Sequence, residues 1–247
     1  MKIIGISGRK QAGKNTVANY INGSILKSKG MIEDFYIENN GSLAIKTKDI
    51  SGNHGYGIFD VTRKDHDFVD YAEKELWPFI KTYHFADPLK DMVINLFGLT
   101  YQQVYGTDDD KNTLTELLWE NMPECPVNKS GPMTARDLLQ HFGTNIIRKM
   151  YNNAWVNATI NRIINEGSEM SIIPDVRFSN EVKAIQDNGG IVIRLTRDLH
   201  NSPHDSEKAL DKEHFDWNNF DLVIDNNGLS IEQLCELLKF NSRTWSI

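Results

Sequence analysis

The sequence predicts an α/β fold with a mainly parallel sheet, and three observations predict it. A short β-branched run, Ile3–Ser7, passes directly into a glycine-bounded loop, Gly8–Gly13. Helical spacing follows at once in Val17, Ala18, Tyr20 and Ile21. Further strand candidates at Thr82–Phe85, Ser171–Pro174, Ile191–Thr196 and Leu222–Ile224 are separated or followed by helical patterns. Strands that alternate with helices need right-handed crossovers, which make the sheet parallel. In such sheets ligands bind at the carboxyl ends of the strands. The first loop, Asp87 and Asp175 all fall at predicted strand ends.

Residues 8–16 read GRKQAGKNT. The pattern Gly-x4-Gly-Lys between a strand and a helix is that of a P-loop. Its backbone N–H groups surround a phosphate, and the helix adds its positive end. Ala12, Gly13, Lys14, Asn15 and Thr16 are therefore candidate ATP-binding residues, with Lys14 on the outer phosphates. The position after the lysine, commonly a Ser or Thr that touches Mg²⁺, is Asn15; Thr16 comes one place later. This Gly-Lys-x-Thr form resembles the nucleoside monophosphate kinases. Magnesium dehydrates reluctantly, so it can be held through water by Asn15, Thr16 or Asp175 with no direct protein ligand.

The 247 residues suffice for one large α/β domain with insertions, and 40% hydrophobic with 25% charged residues is ordinary globular composition. A net charge of −7 opposes broad contact with a nucleic-acid backbone. No run of 18 apolar residues occurs, so no membrane partner is expected. The first strand is too short for a signal peptide. Cys125 and Cys235 form no C-x-x-C pair and read as reduced thiols of a cytoplasmic protein.

The chain reads as a single kinase-type domain over 1–247, with a β-rich insertion at 24–79 and a partly helical flap or acceptor-side insertion at 99–132. Alternation and the turn signals Asn40-Gly41 and Gly52-Asn53 predict antiparallel hairpins in the first insertion. Asp87 is expected to cap a helix whose first residue is Pro88 and whose end is Gly98. Thr134 caps the next helix, which continues through Leu138, Leu139, Phe142, Ile146 and Ile147. Gly143 and Thr144 interrupt that helix, and close approach of a ligand is a reason for a glycine there. Further helices are expected over 154–165, 180–187 and 231–240. His200 and His204 are four apart, but Pro203 between them argues against a helical metal face. The polar stretch 198–220 reads as a second flap.

Several segments together carry a family resemblance: the loop at 8–16, Ala-Asp-Pro-Leu-Lys-Asp at 86–91, Arg136 with Leu-Leu-Gln-His-Phe-Gly-Thr at 138–144, Trp155, and Pro-Asp-Val-Arg-Phe-Ser-Asn-Glu at 174–181. In this order they resemble the deoxynucleoside monophosphate kinases of tailed bacteriophages, including the T-even type, within the P-loop kinases. The resemblance implies a three-layer P-loop fold, ATP and Mg²⁺, transfer to a deoxynucleoside monophosphate, host cytoplasm as the location, and a homodimer. Two features depart from the T-even type: segment 24–79 is longer than expected, and Asn15 stands where that type uses an acidic residue. For the acceptor nucleotide the resemblance implies Lys10, Lys90, Arg136, Asp175 and Arg177; Gly143 and Thr144 at the helix interruption, Trp155 as a stacking surface for the base and Glu181 as an acceptor for a base edge are further candidates.

Each residue has a plainer alternative. Lys10, Lys90 and Arg136 can be surface cations, Trp155 a core residue, Glu181 part of a solvated helix face and Asp175 a turn or capping aspartate. Asp175 also stays open between metal and acceptor nucleotide. Arg197, at the end of a strand, is a candidate for the ATP adenine or phosphates. Phosphoryl transfer needs cations around the transferred group and no covalent intermediate, which makes Lys14 and Arg136 catalytic candidates, with Asp175 added as the carboxylate at a strand end that could order Mg²⁺ or its waters. Two rival readings are a P-loop kinase of another small phosphoacceptor and a nucleotide-dependent switch module. The basic residues beyond the loop argue for a second anion site and against the switch.

Overall fold

The computed structural model describes residues 1–48, 51–198 and 208–245. His200, Pro203 and His204 lie outside the described residues, as does most of the first half of the 198–220 stretch. The chain divides into two compact units, residues 1–84 with 162–247 and residues 85–161.

Unit 1 is built on five strands in the order β10–β9–β1–β8–β5: β1 (Lys2–Ser7), β5 (Ile80–Thr82), β8 (Met170–Val176), β9 (Ile191–Leu195) and β10 (Leu222–Ile224). Every pairing is parallel. The sheet β1 enters is buried on both sides, and its residues alternate between two helices. Ile4 and Ile6 pack with Val17, Ile21, Ile25 and Leu26 of α1 (Lys14–Ser28). Gly5 points the other way, towards α8 (Ser179–Asp187), where an added Cβ would stand 2.6 Å from Ile185 Cδ1. A helix therefore covers each face, giving three layers. β1 lies between β8 and β9, where the chain direction of winding reverses, and this switch point is where open α/β sheets bind ligands.

A second sheet in unit 1 is antiparallel, β2 (Asp34–Ile37), β3 (Leu43–Lys48) and β4 (His54–Ile58) in sequential order. Its first turn docks on α1. Asn19 Nδ2 donates to Gly41 O at 2.9 Å, and a Cβ on Gly41 would come within 2.6 Å of Thr16 Oγ1. Helix α2 (His66–Glu75) follows, capped by Asp65 accepting from the Phe68 N–H.

Three elements differ from the sequence expectation. The second core strand is Ile80–Thr82 and not Thr82–Phe85, because pairing with β8 begins at Met170 and takes in Lys81. Lys81 is tolerated in the buried strand because its ammonium meets Glu166 at 2.6 Å and lies 3.6 Å from the Trp77 ring centroid. Asp87 is not the cap of its helix: α3 (Asp87–Phe97) starts one residue earlier, with Ala86 at the cap position and Pro88 inside the first turn. Gly98 ends α3 in the left-handed conformation, φ 69°. The helix after Thr134 changes type midway, as described below.

Unit 2 holds α3, α4 (Tyr101–Tyr105), α5 (Asp108–Lys111), the antiparallel pair β6 (Leu114–Leu118) and β7 (Pro132–Thr134), and α6 (Ala135–Gln140). Its interior gathers Val93, Leu99, Val104, Trp119, Met133, Ala135 and Leu138. Helix α7 (Ala154–Glu166) contains the division between the units.

Candidate functional site

The loop after β1 is sharply bent. Gln11 and Gly13 both take left-handed backbone, φ 61° and 96°. A non-glycine residue there is uncommon and turns successive N–H groups to one side, the geometry of an anion nest. Gly13 is also the cap position of α1. Lys14 opens that helix, and its ammonium donates to Gly8 O at 2.6 Å and Arg9 O at 2.8 Å. The cation is thus stored at the loop on neutral carbonyls. Asn15 is exposed, whereas Thr16 is buried against the Gly41 turn.

The neighbouring strand ends complete this side. Ser7 of β1 is level with Val176 of β8, so Asp175 comes up beside the root of the loop. Asp175 Oδ1 is buried and has no hydrogen-bond partner among the described residues. A buried carboxylate oxygen without a donor is costly. Arg177 follows, half-buried. Glu181 is 2% exposed, and its Oε2 accepts from the Arg177 N–H at 2.7 Å and the Phe178 N–H at 3.2 Å. The residue offered by sequence for a base edge is therefore, in the structure, the carboxylate that caps α8.

Arg197 sits just past β9 and is likewise engaged. Its Nε donates to Asn226 O at 3.1 Å and its Nη2 to Leu229 O. Asn226, fully buried, receives the Arg197 N–H on Oδ1 and donates Nδ2 to Ala12 O at 2.7 Å. The loop after β10 is thereby tied to the phosphate loop through one asparagine. Sequence reading missed Asn226, because its contact with Ala12 spans 214 residues.

In unit 2, Arg136 lies in the first turn of α6, which Thr134 caps reciprocally with Asp137. Its Nε donates to Asn112 Oδ1 at 3.0 Å and its Nη2 to Asp108 Oδ1 at 2.7 Å. Lys90 of α3 lies over the Tyr105 ring, 4.4 Å from the centroid. Burial, with Asp87 and Asp91 adding to it, pushes the Tyr105 phenol well above its ordinary range, so it stays protonated beside Lys90. Lys10, in the loop of unit 1, is exposed.

The interruption at Gly143 and Thr144 has a structural form. α6 passes into a π-helical segment, His141–Arg148, and Trp155 Nε1 donates to Gly143 O at 3.0 Å. A wider turn re-aims carbonyls, and here one is taken by an indole. Trp155 is 4% exposed, so its place in unit 2 is as a buried support for this turn and not as an open stacking surface. Gly143 is needed for packing as well, since a Cβ would stand 2.6 Å from Leu89 Cδ2.

A parallel sheet with a lysine-bearing anion nest at its switch point defines a P-loop nucleotide-binding protein of the kinase type. Residues 2–238 match the family model described as deoxynucleotide monophosphate kinase, and the chain belongs to that family. It is 27% identical over 251 residues to the deoxynucleotide monophosphate kinase of Enterobacteria phage T4, covering 97% of this chain and 98% of that protein. It is 29% identical over 157 residues to a putative deoxynucleotide monophosphate kinase of Acanthamoeba polyphaga mimivirus, covering 58% of this chain and 73% of that one. No helix among the described residues is long and apolar enough to cross a membrane.

Proposed function

We propose that this chain transfers the γ-phosphoryl group of ATP to the phosphate of a deoxynucleoside monophosphate, giving ADP and the deoxynucleoside diphosphate. The observation that carries the reading is the stored Lys14 ammonium, held on Gly8 O and Arg9 O within a loop already bent to receive phosphate. An acceptor phosphate oxygen attacks the γ-phosphorus while the bond to the β,γ-bridging oxygen breaks. That oxygen is already an anion, so no strong base is required and the chain's task is to hold charge and exclude water.

Lys14 moves from its two carbonyls to the outer phosphates of ATP, which the backbone of Ala12 and Gly13 and the start of α1 at Asn15 and Thr16 surround. Arg197 shapes the ATP side through Asn226. Lys10, Lys90, Arg136 and Arg177 supply cations for the acceptor phosphate, with Arg136 able to offer a bidentate fork. Gly143 and Thr144 form the wall that Trp155 supports. Asp175 Oδ1 takes a donor from the acceptor nucleotide or from water on the metal.

Magnesium fits the donors present. The loop region offers a carboxylate oxygen without a partner among the described residues, an exposed amide and a hydroxyl, all hard oxygen ligands. No group of three or more His, Cys, Asp or Glu side chains that could hold a metal occurs among the described residues. An ion carried mostly by water and nucleotide phosphates would, when bound, neutralise charge on the transferred group.

The test is to incubate the chain with ATP, Mg²⁺ and each deoxynucleoside monophosphate and to follow ADP and diphosphate. Turnover on at least one is expected. Failure with dTMP, dGMP and every cytosine deoxynucleotide overturns the proposal.

A further inference from the structure

The phosphate loop is braced from a place that its own sequence does not suggest. Arg9, inside the loop, donates Nε to Asp211 Oδ1 at 3.3 Å and Nη2 to Asp211 Oδ2 at 2.6 Å, a fork on a single carboxylate. Its remaining nitrogen, Nη1, pairs with Asp198. Arg194 of β9 reaches the same carboxylate from beneath. Its Nη2 donates to Asp211 Oδ1 and its Nη1 to Ser7 Oγ, each at 3.0 Å. Ser7 is the last residue of β1, and Arg194 is 4% exposed. Asp211 therefore joins a guanidinium in the loop to a guanidinium fixed at the loop's root.

The carboxylate is itself held. Arg194 lies 5.0 Å from the ring centroid of Trp217 and 5.9 Å from that of Phe220, and Trp217 Nε1 donates to Leu210 O at 2.9 Å, one residue from Asp211. The chain of contacts reaches the reactive cation. The carbonyl of Arg9 accepts from Lys14 Nζ and also from the Ala12 N–H at 3.1 Å. Fixing the Arg9 side chain thus fixes the peptide on which Lys14 is stored. Two arginines face two aspartates, so the charges within the cluster balance. The hydrogen bonds that Arg9 donates to Asp211 raise its pKa further, so it stays charged at any working pH.

We propose that Asp211 is a positioning residue for nucleotide binding: by clamping Arg9 against Arg194 it holds the phosphate loop in its anion-binding shape and keeps the Arg9 guanidinium away from the phosphates. The inference rests on the reading of residues 8–16 as a triphosphate cradle. A loop fixed in advance loses less freedom when the ligand binds, and so binds more tightly. A merely structural Asp211 would instead support the fold with no selective effect on ATP.

Asp211→Asn preserves shape and removes the charge, Asp211→Glu preserves the charge, and Arg9→Gln removes the other end of the clamp at a half-buried site. A non-hydrolysable ATP analogue is titrated onto each variant, and KM for ATP and for the deoxynucleotide are measured separately. Asp211→Asn and Arg9→Gln should each weaken analogue binding and raise KM for ATP about tenfold, with KM for the deoxynucleotide within about twofold of wild type. Asp211→Glu should recover most of the loss, and the double variant Asp211→Asn/Arg9→Gln should be no worse than the poorer single variant. If Asp211→Asn does not fold, Arg9→Gln and Asp211→Glu decide the matter. Analogue affinity within about twofold of wild type in Arg9→Gln, or additive losses in the double variant, overturns the proposal. A wild-type chain that binds the analogue yet phosphorylates no deoxynucleotide removes the kinase reading and leaves the clamp to be judged on binding alone.

Discussion

The cations of the two units are held in opposite ways. In unit 1, Arg194 is buried with a carboxylate that is itself 10% exposed, and Lys14 rests on two backbone carbonyls. In unit 2, Arg136 is 39% exposed and its partner Asp108 is 75% exposed. Exposed pairs are worth little, whereas breaking a buried pair strands a charge at high cost. Unit 1 is therefore built to hold one loop shape. The Arg136 pair in unit 2 can exchange its carboxylate for a phosphate at small expense. The same residue type is a buried support in one unit and half of an exposed pair in the other, the pair whose arginine the proposed function assigns to the acceptor phosphate.

That contrast can be broken by mutation. Lys14→Ala removes the stored cation and should lower kcat about 100- to 1,000-fold, in the range found for lost transition-state charge stabilisation, while deoxynucleotide binding by titration stays near wild type. Arg136→Ala should act on the other substrate. It removes a charge-assisted fork of about 1.5–3 kcal/mol and should raise KM for the deoxynucleotide about 10- to 100-fold, with a much smaller change for ATP. Equal effects of both variants on both substrates would erase the division between the units.

Asp108→Asn sharpens the comparison. The exposed pair should contribute less than about 1 kcal/mol, so thermal stability and KM for the deoxynucleotide should change little. A large loss in either would place Arg136 among the rigid supports.

The smallest effect concerns acid stability of unit 1. Burial raises the Glu166 carboxyl pKa, but hydrogen bonds from Arg162, Lys81 and Tyr83 outweigh it and hold the group below its usual 4.5. A carboxylate depressed in the fold contributes stability above its unfolded pKa and loses it as pH falls through the folded value. Melting temperature should therefore drop below about pH 4.5, and Glu166→Gln should flatten that part of the profile. An unchanged profile in the variant would remove Glu166 from the acid response.

Legibility in the sequence followed the range of the interactions. Leu222–Ile224 and Ile231–Phe240 occur where the periodicity set them, and Thr134 caps its helix as expected. These features depend on neighbours within a turn. Ile80–Thr82 was less legible, because partners on β8 and Glu166 license a lysine in a buried strand. Glu181 and Trp155 carried a family pattern, but their burial was invisible until the capped turn and the π-helical segment existed. Asp211, Asn226 and Arg194 offered no local signal at all, since their contacts with residues 7–12 cross roughly the whole chain.

By itself the sequence determined a parallel α/β core with a lysine-bearing phosphate loop at its first strand end, since strand alternation, glycine placement and helix capping are local properties of the chain. Tertiary structure alone decided which charges serve as supports and which stay exchangeable. That choice depends on burial and on partners up to about 200 residues away, as when Arg9 meets Asp211 across 202 positions.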